Sequence, residues 1–134
     1  MRRRPLPRLG ELERAVLDRL WSHGPADVKT MHRELGAARG IAPNTVQSTL
    51  DRLFRKGLAE RAKLGRAHHY RARISREEWV ARTLEAIADA LPGAEPRLLL
   101  ASFVDLAERA GAEPLAELER LVRERRRRAG EDEP

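Results

Sequence analysis

Apolar residues recur at helical spacing through the first third of the chain. Leu12, Ala15, Val16, Leu20 and Trp21 predict a helix over residues 9–22, which His23-Gly24-Pro25 ends. Asp27 stands where it can cap a second, short helix over 28–35, with Val28, Met31 and Leu35 on its apolar side. The turn G-A-A-R-G-I-A (36–42) leads into the most sharply two-sided stretch, A-P-N-T-V-Q-S-T-L-D-R-L-F-R-K at 42–56. Pro43 suits a first helical turn and Gly57 a stop. Val46, Leu50, Leu53 and Phe54 share one stripe of this third helix, while Asn44, Thr45, Ser48, Asp51, Arg52 and Arg55 point the other way.

Beyond Gly57 the period changes. Two short alternating segments around Leu64-Gly65-Arg66 predict a β-hairpin, with Leu58, Tyr70 and Ala72 towards the helices and Arg61, Lys63, Arg66, His69 and Arg71 outward or along the rim. Ser75-Arg76-Glu77-Glu78 then forms a capping box. It opens a helix through Trp79, Val80, Leu84, Ile87 and Leu91. Two more follow, at 96–110 with Leu98, Leu99, Leu100, Phe103, Val104 and Leu106, and at 115–128 with Leu115, Leu118, Leu121 and Val122. Three amphipathic helices of this size rarely make a core alone, so their stripes predict burial against a second copy. Trp79, Leu84, Ile87, Leu99, Phe103, Leu118 and Leu121 are the expected dimer contacts.

The predicted fold is mainly α with a small β-hairpin wing. A basic flexible arm (1–8) precedes a winged helix-turn-helix domain (9–73). A helical dimerisation region (74–128) and a disordered acidic tail (129–134) complete the chain.

Charge sharpens this division. The net charge is +6, but residues 1–73 carry 17 Lys+Arg against 7 Asp+Glu, giving +10, and residues 74–134 carry 10 against 14, giving −4. A basic first part suits a polyanionic partner; a mixed second part suits solvated helix faces around a protein–protein seam. The arginine run 125–128 reads as a solvated helix end, where positive charge also suits the dipole. No cysteine is present, which excludes disulfides, thiolate metal sites and thiol redox chemistry. No apolar run is long enough for a membrane span, and no apolar leader follows M-R-R-R-P-L-P-R, so the expected location is the cytosol.

His68 and His69 point to opposite faces of a strand, with His23 and His32 in other elements, so no metal site is expected. No activated nucleophile, paired carboxylates or phosphate-cradling loop is recognisable. The expectation is a protein that is not an enzyme and carries no cofactor.

The outward face of the third helix is short and polar in its N-terminal half and basic in its C-terminal half. That pattern fits a helix lying in a DNA major groove, its small side chains at base edges and its arginines, Arg52 and Arg55, at phosphates. Arg66, at the wing tip, can reach backbone phosphate or an adjacent minor groove. The rival reading is a winged-helix module for protein or RNA. A protein-binding face would expose aromatic or aliphatic anchors in place of Asn, Thr, Ser and Arg.

The strings L-G-E-L-E-R-A-V-L-D-R-L-W, T-V-Q-S-T-L-D-R-L-F-R-K-G-L and G-R-A-H-H-Y-R, in that order, make residues 9–125 resemble the penicillinase-repressor (BlaI/MecI/CopY) family of bacterial transcription factors. The resemblance implies a homodimeric winged-helix repressor of inverted-repeat operators in double-stranded DNA. It places base-edge and nearby phosphate contacts on Asn44, Thr45, Gln47 and Ser48, and backbone contacts on Arg52 and Arg66. Family members under antibiotic control answer to a membrane sensor-protease pathway and are cleaved before a Phe in a Leu-Asn-Phe-like string. Here L-A-S-F at 100–103 makes Ser102-Phe103 the matching bond, with Ser in place of Asn. The copper-sensing members' cysteine cluster is absent. Release by a small ligand is the alternative to release by proteolysis.

Overall fold

The computed structural model describes residues 6–91, 93 and 95–132. The expected arm residues Arg2, Arg3 and Arg4, the end of the acidic tail at Glu133 and Pro134, and Pro92 lie outside the described residues. Helix α1 spans Glu11–His23 and stops at Gly24, whose φ of 82° is the left-handed value that glycine tolerates. Two residues of the expected helix, Leu9 and Gly10, precede it. Leu6 and Leu9 pack against the core, and the carbonyl of Arg8 accepts from Lys56 Nζ at 2.9 Å, so the described end of the arm is held to the domain.

Asp27 caps α2 (Val28–Met31) as expected, accepting from the Thr30 amide at 2.8 Å. The expected eight-residue helix does not continue as an α-helix. It widens into one π-helical turn at His32–Gly36 and tightens into a 3₁₀ turn at Ala37–Arg39. Gly36 is where this segment meets the third helix. A Cβ there would lie 2.7 Å from the His32 ring and 3.1 Å from Val46.

Helix α3 spans Pro43–Arg55. Its buried side is Val46, Thr49, Leu50 and Leu53. The stripe is therefore rotated from the expected one: Thr49 is fully buried, its hydroxyl bonded to the Thr45 carbonyl at 2.8 Å, and Phe54 is 38% exposed. Val16, Leu17 and Leu20 of α1, Met31, Leu58, Tyr70 and Ile74 complete the core.

Strands β1 (Ala59–Leu64) and β2 (Ala67–Ala72) pair antiparallel, Ala59 opposite Ala72 and Leu64 opposite Ala67. The two-residue loop Gly65-Arg66 has φ +67° at its glycine, the first central position, where a type II′ hairpin turn needs it. Ala26 adds an isolated bridge on the other side of β2, exchanging backbone bonds of 3.0 and 2.8 Å with Tyr70. His69 departs from the outward placement. It is half-buried, and its Nδ1 is enclosed with no hydrogen-bond partner among the described residues.

Helix α4 (Arg76–Ala90) starts from the Ser75 cap, whose Oγ accepts from the Glu78 amide at 3.1 Å. The chain forms two compact units, residues 1–87 and 88–134. The division between these units falls inside α4. Trp21 Nε1 donates to the Ile74 carbonyl at 2.8 Å, the Trp21 and Trp79 rings lie 6.4 Å apart, and Arg76 bonds Asp18 and Ser22 at 2.8 and 2.9 Å. Trp79, expected in a dimer seam, is consequently half-buried on the core of the first unit.

In the second unit, α5 (Pro96–Ala110) and α6 (Ala112–Asp132) are joined through Gly111 at φ 128°. Helix α6 starts earlier than expected and passes through Ala129 and Gly130 to Asp132, where a disordered tail was predicted. Ion pairs at helical spacing support it: Arg120 bridges Glu117 and Glu124, Arg123 meets Glu119, and Arg128 meets Glu124.

Candidate nucleic-acid interface

The site is built on the outward side of α3. Asn44, Thr45, Gln47, Ser48, Arg52 and Arg55 are all exposed. At 100° per residue, Asn44, Ser48 and Arg55 lie on the centre line, Thr45 and Arg52 on one flank, and Gln47 on the other beside Asp51 and Phe54. Their hydrogen-bonding capacity is unequal. Ser48 Oγ donates to the Asn44 carbonyl at 2.9 Å, so in this rotamer it offers an outside partner only acceptor lone pairs. Arg52 donates to Thr49 Oγ1 at 3.2 Å and has Glu13 at 3.9 Å, leaving about half its side chain exposed. Arg55 makes no ion pair among the described residues and is the freer cation.

The wing is fixed to α3 by a cluster that sequence spacing does not reveal. Asp51 accepts from the Tyr70 hydroxyl at 2.5 Å and from Arg61 at 3.2 Å, while the Arg61 guanidinium lies 4.1 Å from the Phe54 ring centroid. Burial, then the Asp51 bond, pushes the Tyr70 hydroxyl above its ordinary value. Asp51 would otherwise place an unpaired negative charge beside the basic face of α3; Arg61 offsets that charge and the Tyr70 hydroxyl donates a further hydrogen bond to it. These three residues are separated by 10 and 19 positions. Only the fold brings them together.

A second clasp joins α1 to the end of α3, where Lys56 Nζ meets Glu13 at 2.6 Å. Glu13 is only 8% exposed. Its signal in the sequence is a carboxylate three and four residues before the core pair Val16 and Leu17, a position that requires a cation.

Along the hairpin, Arg71 is committed to its cross-strand partner Glu60 at 2.7 Å, and that hydrogen bond holds the Glu60 carboxyl below the ordinary carboxylate range. Lys63 and Arg66, by contrast, are exposed and make no ion pair among the described residues. The free cations of the wing are thus concentrated at its tip, beside the exposed Leu64. No group of three or more His, Cys, Asp or Glu among the described residues could hold a metal ion. No described helix is long and apolar enough to cross a membrane.

Three helices, a two-stranded wing and a polar, basic α3 face define a winged helix-turn-helix protein built to meet a polyanion. A family model described as penicillinase repressor matches residues 9–124. The transcriptional regulator BlaI of Mycobacterium tuberculosis is 40% identical over 121 residues, 89% of this chain and 86% of that protein. The penicillinase repressor of Bacillus licheniformis is 27% identical over 75 residues, 56% of this chain and 59% of its own length. Among solved structures, the solution structure of the DNA-binding domain of the repressor BlaI matches with a TM-score of 0.50 at 26% identity, covering 57% of this chain and 93% of that domain. The chain belongs to the penicillinase-repressor family, whose members are transcriptional regulators and not enzymes.

Proposed function

We propose that this chain is a transcriptional repressor that binds an inverted-repeat operator as a homodimer, with α3 of each protomer in a major groove about one DNA turn, ~34 Å, from its twin. The observation that carries this reading is the α3 face: Asn44, Thr45 and Gln47 with uncommitted side chains, then Arg55, on a helix whose opposite side is buried. The protein-binding alternative loses ground here, because the face offers a single large apolar side chain, Phe54, 38% exposed, with the Arg61 guanidinium 4.1 Å from its ring centroid.

Support for the homodimer comes from α4, α5 and α6. Leu99 and Leu118 are half-buried, whereas Leu84, Ile87, Phe103 and Leu121 remain 42–51% exposed in the single chain, a large apolar surface for a protein in water. Derepression by cleavage at Ser102-Phe103 would need α5 to open locally, since that bond lies inside a helix and Ser102 Oγ bonds the Leu98 carbonyl at 2.8 Å.

Selection of bound duplexes from a random library tests the reading. The expected product is a single pseudo-palindromic motif. Thr45→Ala should relax one position of each half-site at a cost of about 1–3 kcal/mol, while Arg66→Ala should weaken all sequences alike and flatten the salt dependence. Recovery of no motif, or identical behaviour of the two variants on selected and random DNA, overturns it.

A further inference from the structure

Most of the arginine run near the end of α6 makes no ion pair among the described residues. Between Arg120 and Arg128 the helix carries six arginines and one glutamate. Three of the six are held by carboxylates one turn away: Arg120 by Glu117 and Glu124, Arg123 by Glu119, Arg128 by Glu124. Arg125 and Arg126 have no acidic residue three or four positions away on either side. Arg127 has Glu124 three positions before it and Glu131 four after, adds to the field on Glu124, and makes no ion pair within 4.0 Å among the described residues. All three are exposed. The dipole does not explain them either. The helix continues to Asp132, so these arginines stand about one to two turns before its end, and the dipole acts within the last turn.

Exposed guanidiniums outside any ion pair keep their donors available to an outside anion. Arginine, with its planar fork of donors, suits phosphate oxygens in particular. We propose that Arg125, Arg126 and Arg127 form a second nucleic-acid contact that grips the phosphate backbone of DNA flanking the operator, independently of sequence. This rests on the operator-binding reading above. Once α3 is seated, flanking duplex is the polyanion at highest effective concentration, so weak phosphate contacts there add avidity without new base contacts.

The test is fluorescence anisotropy of the full chain across a salt series, using the shortest duplex that retains the selected motif and the same duplex extended by random sequence on both sides. The wild type should bind the extended duplex several-fold more tightly at low salt, with a salt slope steeper by about 0.9 for each added phosphate contact. The R125Q/R126Q/R127Q variant should bind the short duplex unchanged and lose the gain from extension. The corresponding triple lysine variant should keep most of that gain. Glutamine is a good helix former and the positions are exposed, so circular dichroism should show an intact helix. A wild type that gains nothing from extension, or a glutamine variant that keeps the full gain, overturns the proposal. Retention of the chain on anionic vesicles through these arginines, without any gain from flanking DNA, would assign the surface to membranes and also overturn it. Failure of the wild type to prefer the short motif duplex over a scrambled one is a different result, and contradicts the repressor reading itself.

Discussion

At the scale of single residues, identity alone settled the roles that depend on local chemistry. Asp27, Pro43, Gly57 and Ser75 act at helix ends because an orphan amide, a missing N–H or a positive φ is satisfied within a few residues of sequence. Asp27 yields a prediction with a sign. The Thr30 hydrogen bonds hold its carboxyl below the ordinary 3.8. A depressed folded-state value means the charged cap contributes stability above the unfolded value and loses it as pH falls through the folded one. Asp27→Ala should therefore lower stability by about 1 kcal/mol near neutral pH, and the gap to the wild type should narrow below roughly pH 4. Urea melts at pH 7 and pH 3 measure both; an unchanged gap at pH 3 would contradict the charged-cap account. Residues whose roles depend on distant partners were not legible. The Asp51–Arg61 pair depends on the hairpin folding back on α3, and the Trp21–Trp79 contact was not expected from spacing.

Elements were legible in type and order and less so in detail. Apolar spacing found α1 to α6 and the hairpin; in the first unit burial against its core imposes the period, and in α5 and α6 the same period stands on faces that the single chain leaves largely exposed. It misplaced the stripe on α3 by counting Phe54 as core and passing over Thr49, which is buried because its hydroxyl is satisfied by the helix's own backbone. The departure of the second helix from α geometry was hidden too. Its cause is tertiary: Gly36 sits against Val46 and the His32 ring, and His32 Nε2 lies 2.9 Å from the Ile41 carbonyl, so the backbone widens to let the segment approach α3. Gly36→Ala should cost about 1–3 kcal/mol through overpacking, although φ at this glycine is −89°, a value any residue adopts. Thermal unfolding of the variant checks this; a stability equal to that of the wild type would mean that the contact yields without strain.

For the whole molecule, the contrast between the two units decides the expected assembly. The first has a core of apolar side chains at most 5% exposed, and the second buries no large apolar side chain among the described residues. Leu121→Glu should accordingly shift the chain from dimer to monomer in sedimentation equilibrium while leaving the winged-helix unit folded. A variant that remains fully dimeric would remove Leu121 from the seam. The charge asymmetry was readable from composition, but where it is usable was not. Ion pairing consumes Arg71 and partly consumes Arg52, while Arg55, Lys63 and Arg66 stay free.

The central claim is that this basic surface reads sequence. The most direct measurement is anisotropy of the purified chain on a duplex taken from upstream of its own gene and on a scrambled duplex of equal length, from low to physiological salt. Preference for the upstream duplex that persists at physiological salt is the predicted result. Equal affinities that fall together as salt rises would reduce the surface to an electrostatic footprint and contradict the account.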